Sequence, residues 1–238
     1  MSDAKPVCEN EETVAIVEEA LLSVWAVANK LSRISPPEAK AYAVTVFGSA
    51  RIKPGQKLYE DVKELTKRLS EMRCNIITGG GPGLMQAANE GSQLGDPNDE
   101  LDSIGIRVKL PFEAGANPFV EQAYTHETFY TRLHQFVRLS DAFICVGGGI
   151  GTTLELLLVW QLLQVKHIKS IPFILVGDMW NDLVKWSKQH MLSHEPQFAS
   201  PDDLDIPICV PTVEDALAHL APHVARFQEQ KLSDQKKA

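Results

Sequence analysis

Ala142-Phe143-Ile144-Cys145-Val146-Gly147-Gly148-Gly149-Ile150-Gly151-Thr152-Thr153-Leu154-Glu155 decides the fold. A short, continuous apolar run ends in glycines and turns at once into a helical pattern. Asn75-Ile76-Ile77-Thr78-Gly79-Gly80-Gly81-Pro82-Gly83-Leu84-Met85 repeats the plan upstream. A strand that stops in glycine lets backbone N–H groups approach an anion closely, and the helix that follows points its N-terminus at it. Two such loops imply a phosphate-bearing ligand held in a crevice of a parallel sheet.

Working outward, strands are expected at Val44–Phe47, Asn75–Thr78, Ser103–Val108, Ala142–Val146, Ile171–Val176 and Ile208–Val210. Helical patterns fall at 57–73, 83–94, 128–140, 152–165, 180–191 and 213–230. The stretch between Val108 and residue 128, through Pro111 and Pro118, reads as irregular. Continuous apolar strands alternating with helices predict an α/β fold, a Rossmann-like doubly wound parallel sheet covered on both faces. An additional helix is expected over 11–34, where Val14, Val17, Leu21, Val24, Trp25, Ala28 and Leu31 recur at three- and four-residue steps and Ser35-Pro36-Pro37 stops the pattern. The organisation is therefore a disordered segment and helix over 1–40, a nucleotide-binding and catalytic domain over 41–230, and a disordered tail over 231–238.

The chain has 238 residues, 44% of them hydrophobic, which suits one domain with a sizeable core. A net charge of −8 argues against a nucleic-acid surface, although a local site can still hold a small anionic nucleotide. The four cysteines form no CxxC pair and no disulfide framework is expected. The polar start, Met1-Ser2-Asp3-Ala4-Lys5, does not read as a signal peptide, and no apolar run reaches membrane-spanning length. The expectation is a cytoplasmic protein with no membrane partner.

Neither glycine loop completes the dinucleotide fingerprint, and no GxxxxGK[ST] occurs, so an NTP-hydrolysing phosphate loop is excluded on pattern. No metal is expected: His190 and His194 stand i, i+4, but no third ligand is evident. No cofactor is implied. Glu155 has two readings, because Thr152-x-x-Glu155 is also the spacing of a helix capping box. Arg132 could equally be a surface arginine. The helix after the second loop carries Leu154, Leu156, Leu157, Leu158, Val159, Trp160, Leu162 and Leu163, leaving almost no polar face. Such a helix must be covered all round, by a subunit interface or as a central core helix; the interface is the expectation, in a homodimer or higher homo-oligomer.

Taken in order, Val44–Arg51, Thr78–Met85 and Gly148–Glu155 resemble the Lonely Guy (LOG) family of cytokinin-activating nucleoside 5′-monophosphate phosphoribohydrolases, whose members were long labelled lysine decarboxylases. The likeness runs from about residue 42 to about residue 215. The family signature is PGGxGTxxE, with an upstream arginine usually followed by lysine. The resemblance implies hydrolysis of the N-glycosidic bond of AMP or an N6-modified AMP, with Arg132 and Glu155 catalytic. Substrate contacts would come from Gly48, Ser49, Gly80, Gly81, Met85, Gly148, Gly149, Ile150, Gly151, Thr152 and Gln161. Glu113, in a stretch similar to the longer-chain branch of the family, would add another. The chain departs from the pattern at Gly147, where the family has proline, and at Leu133, where lysine usually follows the arginine. Leu158 and Gln161 replace a usual glutamate and threonine. The competing function is a non-catalytic nucleotide or molybdenum-cofactor carrier on the same scaffold.

Overall fold

The computed structural model describes residues 14–19, 41–109 and 115–235. The chain divides into two compact units, Met1–Ala39 and Lys40–Ala238. Of the first, residues 14–19 are described and are helical; the remainder of the helix expected over 11–34 lies outside the described residues.

The second unit is a seven-stranded parallel sheet in the order β4-β3-β2-β1-β5-β6-β7. Its strands are β1 (Tyr42–Phe47), β2 (Cys74–Thr78), β3 (Ser103–Val108), β4 (Gln122–His126), β5 (Ala142–Cys145), β6 (Phe173–Val176) and β7 (Ile208–Val210). Helices α1 (Lys57–Glu71), α2 (Leu84–Gly95), α3 (Phe129–Leu139), α4 (Ile150–Gln164), α5 (Asp178–Met191), α6 (Pro201–Leu204) and α7 (Val213–Gln235) connect and close it. Alternation along the strands sends side chains to two cores. Val44, Val46, Ile76 and Ile144 pack with α1, α2 and α7, while Phe47, Ile77, Phe143 and Cys145 pack with α3, α4 and α5. Helices thus cover both faces, as a parallel sheet requires.

Two elements escaped the sequence reading. β4 occupies part of the stretch read as irregular. It pairs with β3 from Ile104↔Gln122 to Val108↔His126, but as an edge strand with mostly exposed side chains it carries no apolar run. The single turn α6 is capped by Ser200 and Asp203 in a reciprocal capping box. The closing helix also reaches Gln235 rather than stopping at 230, so residues 231–235 are helix and not tail. No glycine or proline interrupts the sequence after Pro222, and helix continues through it.

The strand order sets the position of the site. From β1 the chain steps outward through β2, β3 and β4; it then returns to the other side of β1 and steps through β5, β6 and β7. The carboxyl ends of β1 and β5 therefore border the switch point, where open parallel sheets leave a crevice for ligands. Both glycine loops rise from this edge, one after β2 and one after β5, with β1 between them.

Candidate active site

The loop after β1 holds the two glycine loops together. The Ser49 N–H donates to Gly147 O at 3.0 Å, and Ser49 O accepts from the Leu84 N–H at 2.9 Å. The Ser49 hydroxyl accepts from Arg51 N at 3.2 Å, within its own turn. Gly48 lies beneath, against Val146 and Leu84. The Trp180 indole N–H, from α5, donates to Val146 O at 3.2 Å and fixes the start of the second loop from below.

The second loop enters α4 with Gly149 as N-cap and no side-chain capping bond. This removes the capping reading of Glu155. Thr152 is the third residue of the helix and lies folded back on Gly148, so Thr152 and Glu155 do not form a capping box. The first-turn N–H groups of α4 have no intrahelical acceptor. At Gly149 and Gly151 a side-chain position would meet open space. The start of α4 thus carries no side-chain cap and no acidic residue in its first turn to meet its positive dipole end.

Glu155 instead meets Arg132. Arg132 sits in the first turn of α3, whose N-cap Thr128 accepts from Thr131 N. Its Nε donates to Ile106 O at 2.9 Å and its Nη1 to Glu155 Oε1 at 2.9 Å. Its guanidinium lies 5.2 Å from the centroid of the buried Phe136 ring, which packs edge-on against Phe47. Three fixed directions, a carbonyl, a carboxylate and an aromatic face, hold the guanidinium in one pose. Burial pushes the Glu155 carboxyl up from the ordinary 4.5 to about 7, and the Arg132 charge and hydrogen bond hold it from rising further. Desolvation therefore outweighs the ion pair.

The first glycine loop closes the other side. A Cβ on Gly79 would stand 2.5 Å from Arg132 Nη2 and 2.7 Å from Met85 Sδ, so only glycine allows the guanidinium this close to the loop. Gly80 has φ +71, a left-handed conformation that favours glycine. Met85 also reaches Gly81.

The structure thus brings together Arg132, Glu155, Gly79 to Gly81, Met85, Ser49 and the N-terminus of α4. It does not bring Gln161 to the pair: that side chain is on the exposed side of α4, bonded to Gln164 at 2.9 Å. Glu113 lies outside the described residues. The sequence reading passed over Asn89 and Asn117, buried amides behind the first loop, and Trp180 behind the second. The described residues hold no group of three or more His, Cys, Asp or Glu able to bind a metal ion. No helix among them is long and apolar enough to cross a membrane.

A parallel sheet with two glycine loops at its switch point and an Arg–Glu pair nearly closed to solvent defines a Rossmann-like α/β protein. The family described as "Possible lysine decarboxylase" matches residues 85–220. The chain is also 32% identical over 164 residues to the "Probable cytokinin riboside 5'-monophosphate phosphoribohydrolase LOGL3" of Oryza sativa subsp. japonica, covering 68% of this chain and 74% of that one. The chain belongs to the Lonely Guy (LOG) family. It is 31% identical over 140 residues to the "Pyrimidine/purine nucleotide 5'-monophosphate nucleosidase" of Escherichia coli (strain K12). That match covers 56% of this chain and 30% of that protein, so the chain spans well under half of that relative's length. Among solved structures, the molybdenum cofactor binding protein of Rippkaea orientalis aligns with a TM-score of 0.58 at 17% identity, over 79% of this chain and 99% of that one. The molybdenum cofactor carrier protein of Chlamydomonas reinhardtii aligns at 0.56 and 19%, over 78% and 99%. These two show a shared fold.

Proposed function

We propose that the protein hydrolyses the N-glycosidic bond of a nucleoside 5′-monophosphate, releasing free base and ribose 5-phosphate, with AMP or an N6-modified AMP as substrate. The observation that carries this reading is the buried Arg132–Glu155 pair set between two glycine loops. The names of the rice and Escherichia coli relatives support it.

The chemistry follows from the site. The 5′-phosphate binds over Gly148, Gly149, Gly151 and Thr152 at the N-terminus of α4. The ribose then lies over Glu155, one turn further in. As the C1′–N bond lengthens, positive charge builds on the ribose, and a fixed carboxylate stabilises it. Arg132 engages Oε1, which leaves Oε2 to orient the ribose hydroxyls or the attacking water. Water supplies the hydroxyl to C1′ and a proton to the departing base. Arg132 keeps its own proton at neutral pH, so its role is to fix Glu155 and to hydrogen-bond phosphate or base. The functional unit is a cytoplasmic homo-oligomer; the described cysteines, Cys74, Cys145 and Cys209, are free thiols, which fits a reducing compartment.

The test is incubation with a panel of nucleoside monophosphates, N6-modified AMP included, with free base and ribose 5-phosphate separated by chromatography. Stoichiometric release of both is the expected result. Tight binding of a nucleotide or of molybdenum cofactor with no release of base would replace this reading with that of a carrier.

A further inference from the structure

Behind the first glycine loop lies a closed ring of buried polar side chains that none of the proposed chemistry uses. The Asn117 side-chain amide donates to Gly81 O at 3.0 Å and to Asn89 Oδ1 at 3.0 Å. Its backbone N–H donates to Gly80 O at 2.9 Å. Its Oδ1 accepts from the Phe119 N–H at 3.1 Å. Asn89 Oδ1 also accepts from the Thr78 hydroxyl at 2.7 Å, and Thr78 Oγ1 accepts from the Gly80 N–H at 2.9 Å. Asn89 Nδ2 donates to Ser103 Oγ at 3.0 Å, and the Ser103 hydroxyl donates to Phe119 O at 2.8 Å, which completes the ring. Thr78, Asn89, Ser103 and Asn117 are all buried.

Burying two amides and two hydroxyls is costly unless all of them are satisfied, and a satisfied network fixes one geometry. What it fixes is the peptide units of Gly80 and Gly81. The flanking residues carry this to the site: Gly79, bonded to Gly80, abuts the Arg132 guanidinium, and Gly81 abuts Met85. A shift of this loop would open or crowd the space that holds Arg132 on Glu155.

We propose that Asn117, with Asn89 and Thr78 behind it, is a positioning residue of the active site: it holds the first glycine loop where that loop confines the Arg132 guanidinium against Glu155. The proposal rests on the phosphoribohydrolase reading for its kinetic consequence but not for its structural one. Asn117 touches no reacting atom and acts through Gly80, Gly81 and Gly79.

The experiment compares the full chain with Asn117→Ala and with Asn117→Ser; both keep the backbone bond to Gly80, and the serine hydroxyl leaves a polar group in the buried ring, which covers the case in which the alanine variant fails to fold. Kinetics are measured well below each variant's melting temperature. The expected result is a fall in kcat of roughly 10- to 100-fold, as for a misplaced catalytic group, with KM changed by no more than about threefold. A residue that only supports the fold would lower the melting temperature and leave kcat per folded molecule unchanged, and that outcome overturns the proposal. A second readout needs no turnover: the Glu155 carboxyl is titrated by carbon-13 NMR, assigned with Glu155→Gln. The groups facing it are the Arg132 guanidinium on α3 and the Cys145 thiol on β5. Loosening Arg132 removes its hold on the carboxylate, so the Glu155 titration moves to higher pH in the variants. An unmoved titration overturns the positioning role. If the parent chain releases base from no nucleotide, the functional reading fails while this titration still decides the inference.

Discussion

Arg132 Nη1 lies 2.9 Å from Glu155 Oε1, and both side chains are nearly closed to solvent, at 12% and 11% exposure. A charge this deep is retained only with a partner, and removing either one leaves the other stranded. Glu155→Gln keeps the shape and a hydrogen-bond acceptor for Arg132 but removes the charge that, in the proposed mechanism, opposes the developing oxocarbenium. Base release should fall by about 10²–10³-fold, the loss seen when one preorganised electrostatic group is removed. Nucleotide affinity should change by no more than roughly threefold, because the interaction is spent in the transition state. Single-turnover assays and calorimetry separate the two, and unchanged turnover removes Glu155 from the mechanism.

The same pair makes activity and stability depend on pH in opposite directions. In the folded protein the Glu155 carboxyl is raised from 4.5 to about 7, chiefly by burial. The fold therefore favours the neutral acid. Its contribution to stability is complete below about pH 4.5 and is lost as pH rises through about 7. The melting temperature of the parent chain relative to Glu155→Gln should decline over that window and level off above it. The proposed mechanism uses the carboxylate, so turnover should rise through the same window. In Arg132→Ala the rising limb should move to higher pH, since Arg132 is what holds the carboxyl down. A limb that stays in place would show that another group controls it.

Much of this was legible in the sequence, for a physical reason. β1, β2, β3, β5 and β6 lie inside the sheet between two helical layers and carry apolar runs, and β7, though the opposite edge, keeps Ile208, Cys209 and Val210 packed on the two cores, so these strands stand out from their neighbours. β4 was hidden because Gln122-Ala123-Tyr124-Thr125-His126 lies at an edge, where pairing is by backbone and the side chains meet water. The glycine loops pointed to the crevice, but not to whether Thr152 caps the helix. That required knowing that α4 begins at Ile150, which displaces Thr152 from the cap. Asn117 was hard to read because, beyond its local turn with Phe119, its bonds run to Gly81 and Asn89, 36 and 28 residues away.

Recognition of the 5′-phosphate should dominate substrate choice. The N-terminus of α4 has no side-chain cap, and open space adjoins Gly149 and Gly151, so an anion there gains unshared N–H donors and the helix dipole. Two charge-assisted hydrogen bonds at about 1.5–3 kcal/mol each would favour AMP over adenosine by at least about 100-fold in kcat/KM. Competing the two substrates in one reaction measures the ratio directly. Equal rates would place the phosphate away from this loop.

Leu156, Val159, Trp160 and Leu163 of α4 are buried in the chain's own core, and the Trp160 indole donates to Asp203 O at 2.7 Å. Trp160 and Leu163 are therefore core residues, and a charge placed on either would unfold the chain rather than divide an assembly. The opposite side of the helix is apolar over its first two turns: Leu154 and Leu157 are 48% and 47% exposed and Ile150 extends the same stripe, before the exposed Gln161 ends it. A lone exposed leucine means little, but a contiguous stripe along a helix marks an interaction surface. A second copy packed across a two-fold axis would cover it with its own stripe. Leu157→Asp should leave the fold intact and convert the protein to a monomer in sedimentation velocity. Because Glu155 lies on the same helix, activity should fall with assembly. A parent chain that sediments as a monomer, or a Leu157→Asp variant that remains an active oligomer, would place any subunit contact elsewhere on the surface.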